Sequence, residues 1–110
     1  MFSLELSTPA KEYFENLKQY LLINFGETVQ RESLTKEEQK LENLKSFPYI
    51  GIKASKFSEL LDGYYVLLDK NEYIFYQVDE KEKTIYIELV LSTKEDLIVD
   101  CKIKLNTLEK

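Results

Sequence analysis

Residues 71–90, NEYIFYQVDEKEKTIYIELV, hold the pattern that decides the fold. Two runs, EYIFYQVD within it and TIYIELVL ending one residue past it, are rich in β-branched and aromatic residues, and the EKEK between them is short enough for a hairpin. Just upstream, YYVLLD is a third such run, separated from the second by only KN. Residues 64–91 therefore read as an antiparallel meander. A further alternating run, IVDCKIKL at 98–105, places Val99, Cys101, Ile103 and Leu105 on one face of a candidate strand.

Toward the N terminus the period changes. Phe2, Leu4 and Leu6 alternate with Ser3 and Glu5, the period of a half-buried strand, and STPA supplies a helix start with Ser7 or Thr8 as cap and Pro9 just inside. Ala10, Tyr13, Phe14, Leu17, Tyr20, Leu21 and Phe25 keep three-and-four spacing, and Gly26 is placed to end that helix. From Glu27 to Phe47 helix formers dominate with a thin apolar edge of Val29, Leu34, Leu41 and Leu44. Thr35 and Glu38 are spaced as a capping box, which predicts a break near Leu34, and the pairs Glu37/Lys40 and Glu42/Lys45 are expected on a solvent face. Pro48 and Gly51 then punctuate a loop or irregular strand. The expected architecture is α+β: an N-terminal strand and a helical hairpin packed on one face of a twisted antiparallel sheet.

Composition bounds the function. One domain fits 110 residues, of which 44% are apolar and 32% charged, as in a folded globular protein. The net charge of -5 repels polyanions, so direct nucleic-acid binding is disfavoured. With no histidine and a single cysteine, Cys101, the usual zinc ligands and the commonest general base are missing, and neither a metal nor another cofactor is expected. No apolar run approaches the ~20 residues of a membrane span, and the opening MFSLELST lacks a secretory pattern, so the expected compartment is the cytoplasm.

The segments LSTPAKEYFENLKQYLLINFG, LENLKSFPYIG, YYVLLDKNEYIFYQVDE and IYIELVLSTKEDL, in that order, resemble the RelE/ParE family of bacterial toxins, the toxic halves of type II toxin-antitoxin pairs associated with plasmid stabilisation and growth inhibition. The resemblance runs from about Leu4 to Leu97 and implies one domain over 1–110, with 98–110 a C-terminal extension. It implies a cognate antitoxin as partner and one of two actions: inhibition of DNA gyrase by binding, or cleavage of mRNA in the ribosome. A fold does not choose between them.

Metal-free RNA cleavage needs a base, cations for the phosphate and an acid for the leaving oxygen. By the resemblance, an arginine of the nuclease members falls at Ile74, which carries no charge, and the end of the last shared strand reads LSTKED. From Asp62 to Asp96 there are nine carboxylates against four lysines, the same -5 as the whole chain. The weak catalytic candidates are Lys53, Lys56, Tyr76 and Lys94. Each has a plainer reading: the lysines as solvated side chains, and Tyr73 and Tyr76 as one open-face and one core ring rather than a base-stacking pair. Glu88 reads as the outward member of its strand rather than a general base, Cys101 as a small core residue, and the DEKEK carboxylates as a solvated turn. The residue set leans away from an enzyme and toward a toxin that binds a protein, with a ribosome-dependent endonuclease and a non-toxic or decayed binding module as the alternatives.

Overall fold

The structure is a computed structural model that describes residues 1–69 and 71–93. Lys70, Lys94, Cys101, the candidate strand at 98–105 and the extension at 98–110 lie outside the described residues. The elements follow as β1 (Ser3–Leu6), α1 (Thr8–Phe25), α2 (Glu27–Ser46), β2 (Ile52–Lys53), β3 (Tyr65–Leu68), β4 (Glu72–Asp79) and β5 (Thr84–Ser92), with 3-10 turns at Ala54–Lys56 and Glu59–Leu61. The strands form one sheet in the order β1-β5-β4-β3-β2. The meander pairs antiparallel as its runs predict, but β1 lies parallel to β5, so the sheet is mixed. A purely local reading misses this because β1 meets its partner only after the helical hairpin has carried the chain over the sheet.

Local chemistry sets the hairpin. The Ser7 hydroxyl accepts from the Ala10 N–H at 3.2 Å, satisfying one orphan donor of α1, and Pro9 sits in the first turn where its missing N–H costs nothing. Gly26, at φ +88°, ends α1 with its N–H on the Leu22 carbonyl and passes the chain directly into α2. At that φ a Cβ is strained, which is why glycine serves here. Contrary to the expected break at Leu34, α2 is one continuous helix. Thr35 does not cap anything: its hydroxyl donates to the Arg31 carbonyl one turn back at 2.9 Å, a bond that lets threonine stay inside a helix.

The sheet is covered on both faces. Against the hairpin lie Ile74, Tyr76, Ile85, Ile87 and Val90 with Ala10 and Leu44, ringed by Leu4, Leu6, Phe14, Leu41 and Leu67. On the other face Val66, Phe75, Leu89 and Leu91 are closed by Ala54 and Leu61 of the two 3-10 turns. β5 serves both cores through a bulge: Tyr76 pairs with Ile87 and Phe75 with Leu89, leaving Glu88 as the extra residue. Glu88 is therefore not a simple outward member of an alternating strand. Its freed carbonyl accepts from the Ser7 hydroxyl at 2.6 Å, and the Ile87 carbonyl accepts from the Ser7 N–H at 2.9 Å. One serine thus caps α1 and ties it to the bulge.

Two other expectations change. The α1 stripe is buried at Ala10 and Leu21, but Tyr20 and Phe25 project past the sheet and are exposed, their rings meeting edge to face at 5.9 Å. Of the two charge pairs, Glu42 faces solvent with Lys45 half-buried beside it, whereas Glu37 and Lys40 are turned inward with side chains only 16% and 17% exposed.

Candidate functional site

Of the residues proposed for RNA chemistry, the three that are described, Lys53, Lys56 and Tyr76, do not converge. Lys53 pairs in register with Tyr65, which pairs with Tyr76, so Lys53 belongs to the hairpin side of the sheet at its β2 edge. Lys56 is carried by the 3-10 turn that packs on the opposite face. Both lysines are exposed. Tyr76 is fully buried under the hairpin, where its ring stacks on Tyr65 at 5.6 Å and its hydroxyl accepts from the Gly51 N–H at 3.0 Å. Burial raises its phenol above the ordinary value and so works against an acid-base role at neutral pH. The fourth candidate, Lys94, lies outside the described residues.

Tyr73 and Tyr76 fall on opposite faces: Tyr73 is half-buried against the 3-10 side and Tyr76 belongs to the hairpin core. Ile74 is fully buried with Tyr76 on the hairpin side. An arginine at 74 would lie beneath the helices rather than on the other face, whose β4 positions are Tyr73 and Phe75. Glu88, half-buried at the bulge, has its carboxyl pushed up by desolvation, the usual direction for a candidate base. Of the described lysine candidates, neither Lys53 nor Lys56 is placed on β5 beside it.

Sequence reasoning missed a polar cluster between the helices and the β3–β4 turn. Glu72, at the head of β4, is 1% exposed. Its Oε2 accepts from the Tyr13 hydroxyl of α1 at 2.6 Å and its Oε1 from Lys40 Nζ of α2 at 2.7 Å. Lys40 also contacts Glu37 at 3.3 Å and Asp69 of the turn. Burial alone would raise Glu72, but hydrogen bonds from Glu37, Lys40 and Tyr13 outweigh it and hold this carboxyl below the usual range. Desolvation, then the hydrogen bond to Glu72 and its charge, push Glu37 up to about 8. Glu37 Oε2 is buried without a partner among the described residues, and protonation of that carboxyl supplies the donor it directs at Glu72. Burial works against the charge of Lys40, yet its bonds to Asp69 and Glu72 keep it above an ordinary lysine. The signal was present: Glu72 shares strand phase with Ile74 and Tyr76, so an acid stood at a core position and required a partner.

Two groups stand out among the exposed apolar side chains. At the hairpin tip Tyr20, Ile23, Phe25 and Val29 are exposed, Ile23 by 78%. After α2, Phe47, Tyr49 and Ile50 line a shallow groove with Asn43, Ser46 and Pro48, and the Tyr49 hydroxyl is anchored to Glu80 at 2.6 Å. Exposed apolar side chains grouped in this way are characteristic of protein contact surfaces.

The profile of the family described as ParE toxin of type II toxin-antitoxin system, parDE, matches residues 4–97. The chain belongs to the ParE toxin family. Its fold is also that of a solved relative, in the structure of the intact E. coli RelBE toxin-antitoxin complex, at a TM-score of 0.52 and 18% identity over 82% of this chain and 94% of that one. At that identity the likeness speaks for the fold alone. No curated protein matches the chain. The ParE-family match spans both helices and, Ser3 apart, all of the described strands, so the hairpin tip, the groove and the Glu72 cluster all lie within the family domain. Among the described residues no helix is long and apolar enough to cross a membrane.

Proposed function

We propose that this ParE-family chain is a toxin that arrests growth by binding a protein target such as DNA gyrase, and that a cognate antitoxin neutralises it. The observation that carries the reading is the apolar hairpin tip. Tyr20, Ile23, Phe25 and Val29 stand in solvent at the end of a two-helix arm, a shape suited to insertion into a groove of another protein. The separation of Lys53, Lys56 and Tyr76 around the sheet weighs in the same direction, because phosphate chemistry needs its groups at one point.

The test is expression of the chain in bacteria with and without its neighbouring gene, followed by supercoiling assays with purified gyrase. Growth arrest relieved by the neighbour, inhibited supercoiling and loss of both effects in Ile23→Asp are expected. Arrest accompanied by ribosome-dependent mRNA cleavage that Lys53→Ala and Lys56→Ala abolish would transfer the assignment to the endonuclease alternative. Normal growth on expression would leave a non-toxic or decayed binding module.

A further inference from the structure

The Glu72 cluster joins four parts of the chain: α1 through Tyr13, α2 through Glu37 and Lys40, the β3–β4 turn through Asp69, and β4 through Glu72 itself. Elsewhere these elements meet mostly through apolar side chains, which do not respond to pH. At this point the contacts of α2 are made by ionisable groups, one turn before Leu41 and Leu44 enter the apolar core. The described charges facing Glu37 are Lys40 on its own helix and Glu72 from β4. Asp69 reaches the same Lys40 from the turn, and the Tyr13 hydroxyl from α1 occupies the other Glu72 oxygen. With Glu37 neutral, one lysine faces two ionised carboxylates and Glu37 is free to donate a hydrogen bond. With Glu37 ionised, the same lysine faces three, two of them adjoining, and the buried Glu37 oxygen has no donor.

We propose that this cluster is a proton-gated clasp: protonation of Glu37 closes the middle of α2 onto β4 and the β3–β4 turn, and its ionisation loosens that contact. The inference is independent of the proposed cellular target, although α2 is half of the arm that carries the apolar tip. The direction follows from linkage. An exposed Glu37 in the open arrangement has the ordinary glutamate value of 4.5, and burial beside Glu72 pushes the clasped one up to about 8. Between those values closure binds a proton, so the closing constant falls up to tenfold for each pH unit and levels off above pH 8. Glu72, held below the usual range, stays ionised through that window.

Carbon-13 carboxyl NMR of the full chain, with Glu37 assigned through bonds, measures the titration directly. Amide hydrogen exchange, corrected for intrinsic rates, measures the opening of α2. A Glu37 midpoint near 8 is expected, with protection of α2 amides around residues 37–44 falling by at least tenfold between pH 6 and 8. Glu37→Gln, neutral at every pH, should remove that slope, and amides of β4 and β5 should remain more protected than α2 throughout. A Glu37 midpoint below 6 would overturn the proposal without recourse to any variant. So would α2 and sheet amides losing protection together, because that would mean the whole fold, not a clasp, responds to pH.

Discussion

Putting an arginine at position 74, where the family resemblance first placed a missing charge, separates the sequence reading from the structural one. Ile74 is fully buried among Ala10, Leu44, Tyr76, Ile85, Ile87 and Val90. Removing its side chain forfeits about 2 to 3 kcal/mol of apolar burial. A longer side chain in a packed core adds ~1 to 3 kcal/mol of strain. A guanidinium left there unpaired costs several kcal/mol more after relaxation. The acid on the same face, Glu72, already serves Lys40 and Tyr13 and offers no fresh partner. The total, on the order of 6 to 10 kcal/mol, falls in the same range as the roughly 5 to 15 kcal/mol that holds a domain of this size. Ile74→Arg is therefore expected to be largely unfolded at 25 °C. Tyr73→Arg changes a half-buried residue on the other face and should cost only about 1 to 2 kcal/mol. Urea unfolding followed by far-UV circular dichroism suits a chain with no tryptophan. An Ile74→Arg protein within about 1 kcal/mol of wild type would refute the placement of Ile74 under the hairpin.

Three further perturbations test other joints of the fold by the same unfolding assay. Ser7→Ala removes the cap on Ala10 and the donor to the Glu88 carbonyl together and should cost about 1 to 3 kcal/mol, whereas Ser7→Thr keeps both bonds and should stay close to wild type. Gly51→Ala places a Cβ 2.7 Å from both the Tyr76 hydroxyl and the Val66 carbonyl oxygen, a clash expected to cost ~2 to 4 kcal/mol, and adding Tyr76→Phe should recover only part of it because the backbone oxygen remains. Lys40→Met strips the cation from Glu72 and Asp69 and should cost about 3 kcal/mol near neutral pH. Because the Glu72 carboxyl is depressed in the fold, its contribution is present above its unfolded value of 4.5 and is lost as pH falls through the folded one; the Lys40→Met deficit should shrink correspondingly in acid.

The sequence made the regular elements legible where one physical rule acted alone. Runs of β-branched and aromatic residues joined by short connections marked the meander, and Ser7, Pro9 and Gly26 marked the ends of α1. Errors arose where a second rule competed. Thr35 and Glu38 fit the spacing of a cap, but an uninterrupted helix satisfies the backbone better and lets the threonine bond backward. Glu37 and Lys40 fit a solvent-face pair, yet spacing does not say which way a helix faces, and the buried acid of Glu72 drew both inward. The bulge at Glu88 and the parallel partner of β1 arise from tertiary contacts, so no local pattern carries them. The candidate lysines and tyrosine were chosen by residue type, and the topology distributes the three described ones, Lys53, Lys56 and Tyr76, around the sheet.

The parallel pairing of β1 with β5 has a consequence for the order in which the molecule assembles. Ser3 through Leu6 sit beside Thr84 through Ile87, so the first strand stays without its ladder until the last described strand exists. Closing a loop that long costs entropy before any hydrogen bond rewards it, and such contacts are the slow ones in folding. The hairpin of β4 and β5, joined by a four-residue turn, has no such delay. The start of α1 shares the wait of β1, because Ser7 completes its bonds only on the bulge of β5. A partly made chain can therefore hold helical segments and hairpins yet lack the seam that fixes the two-helix arm to its sheet.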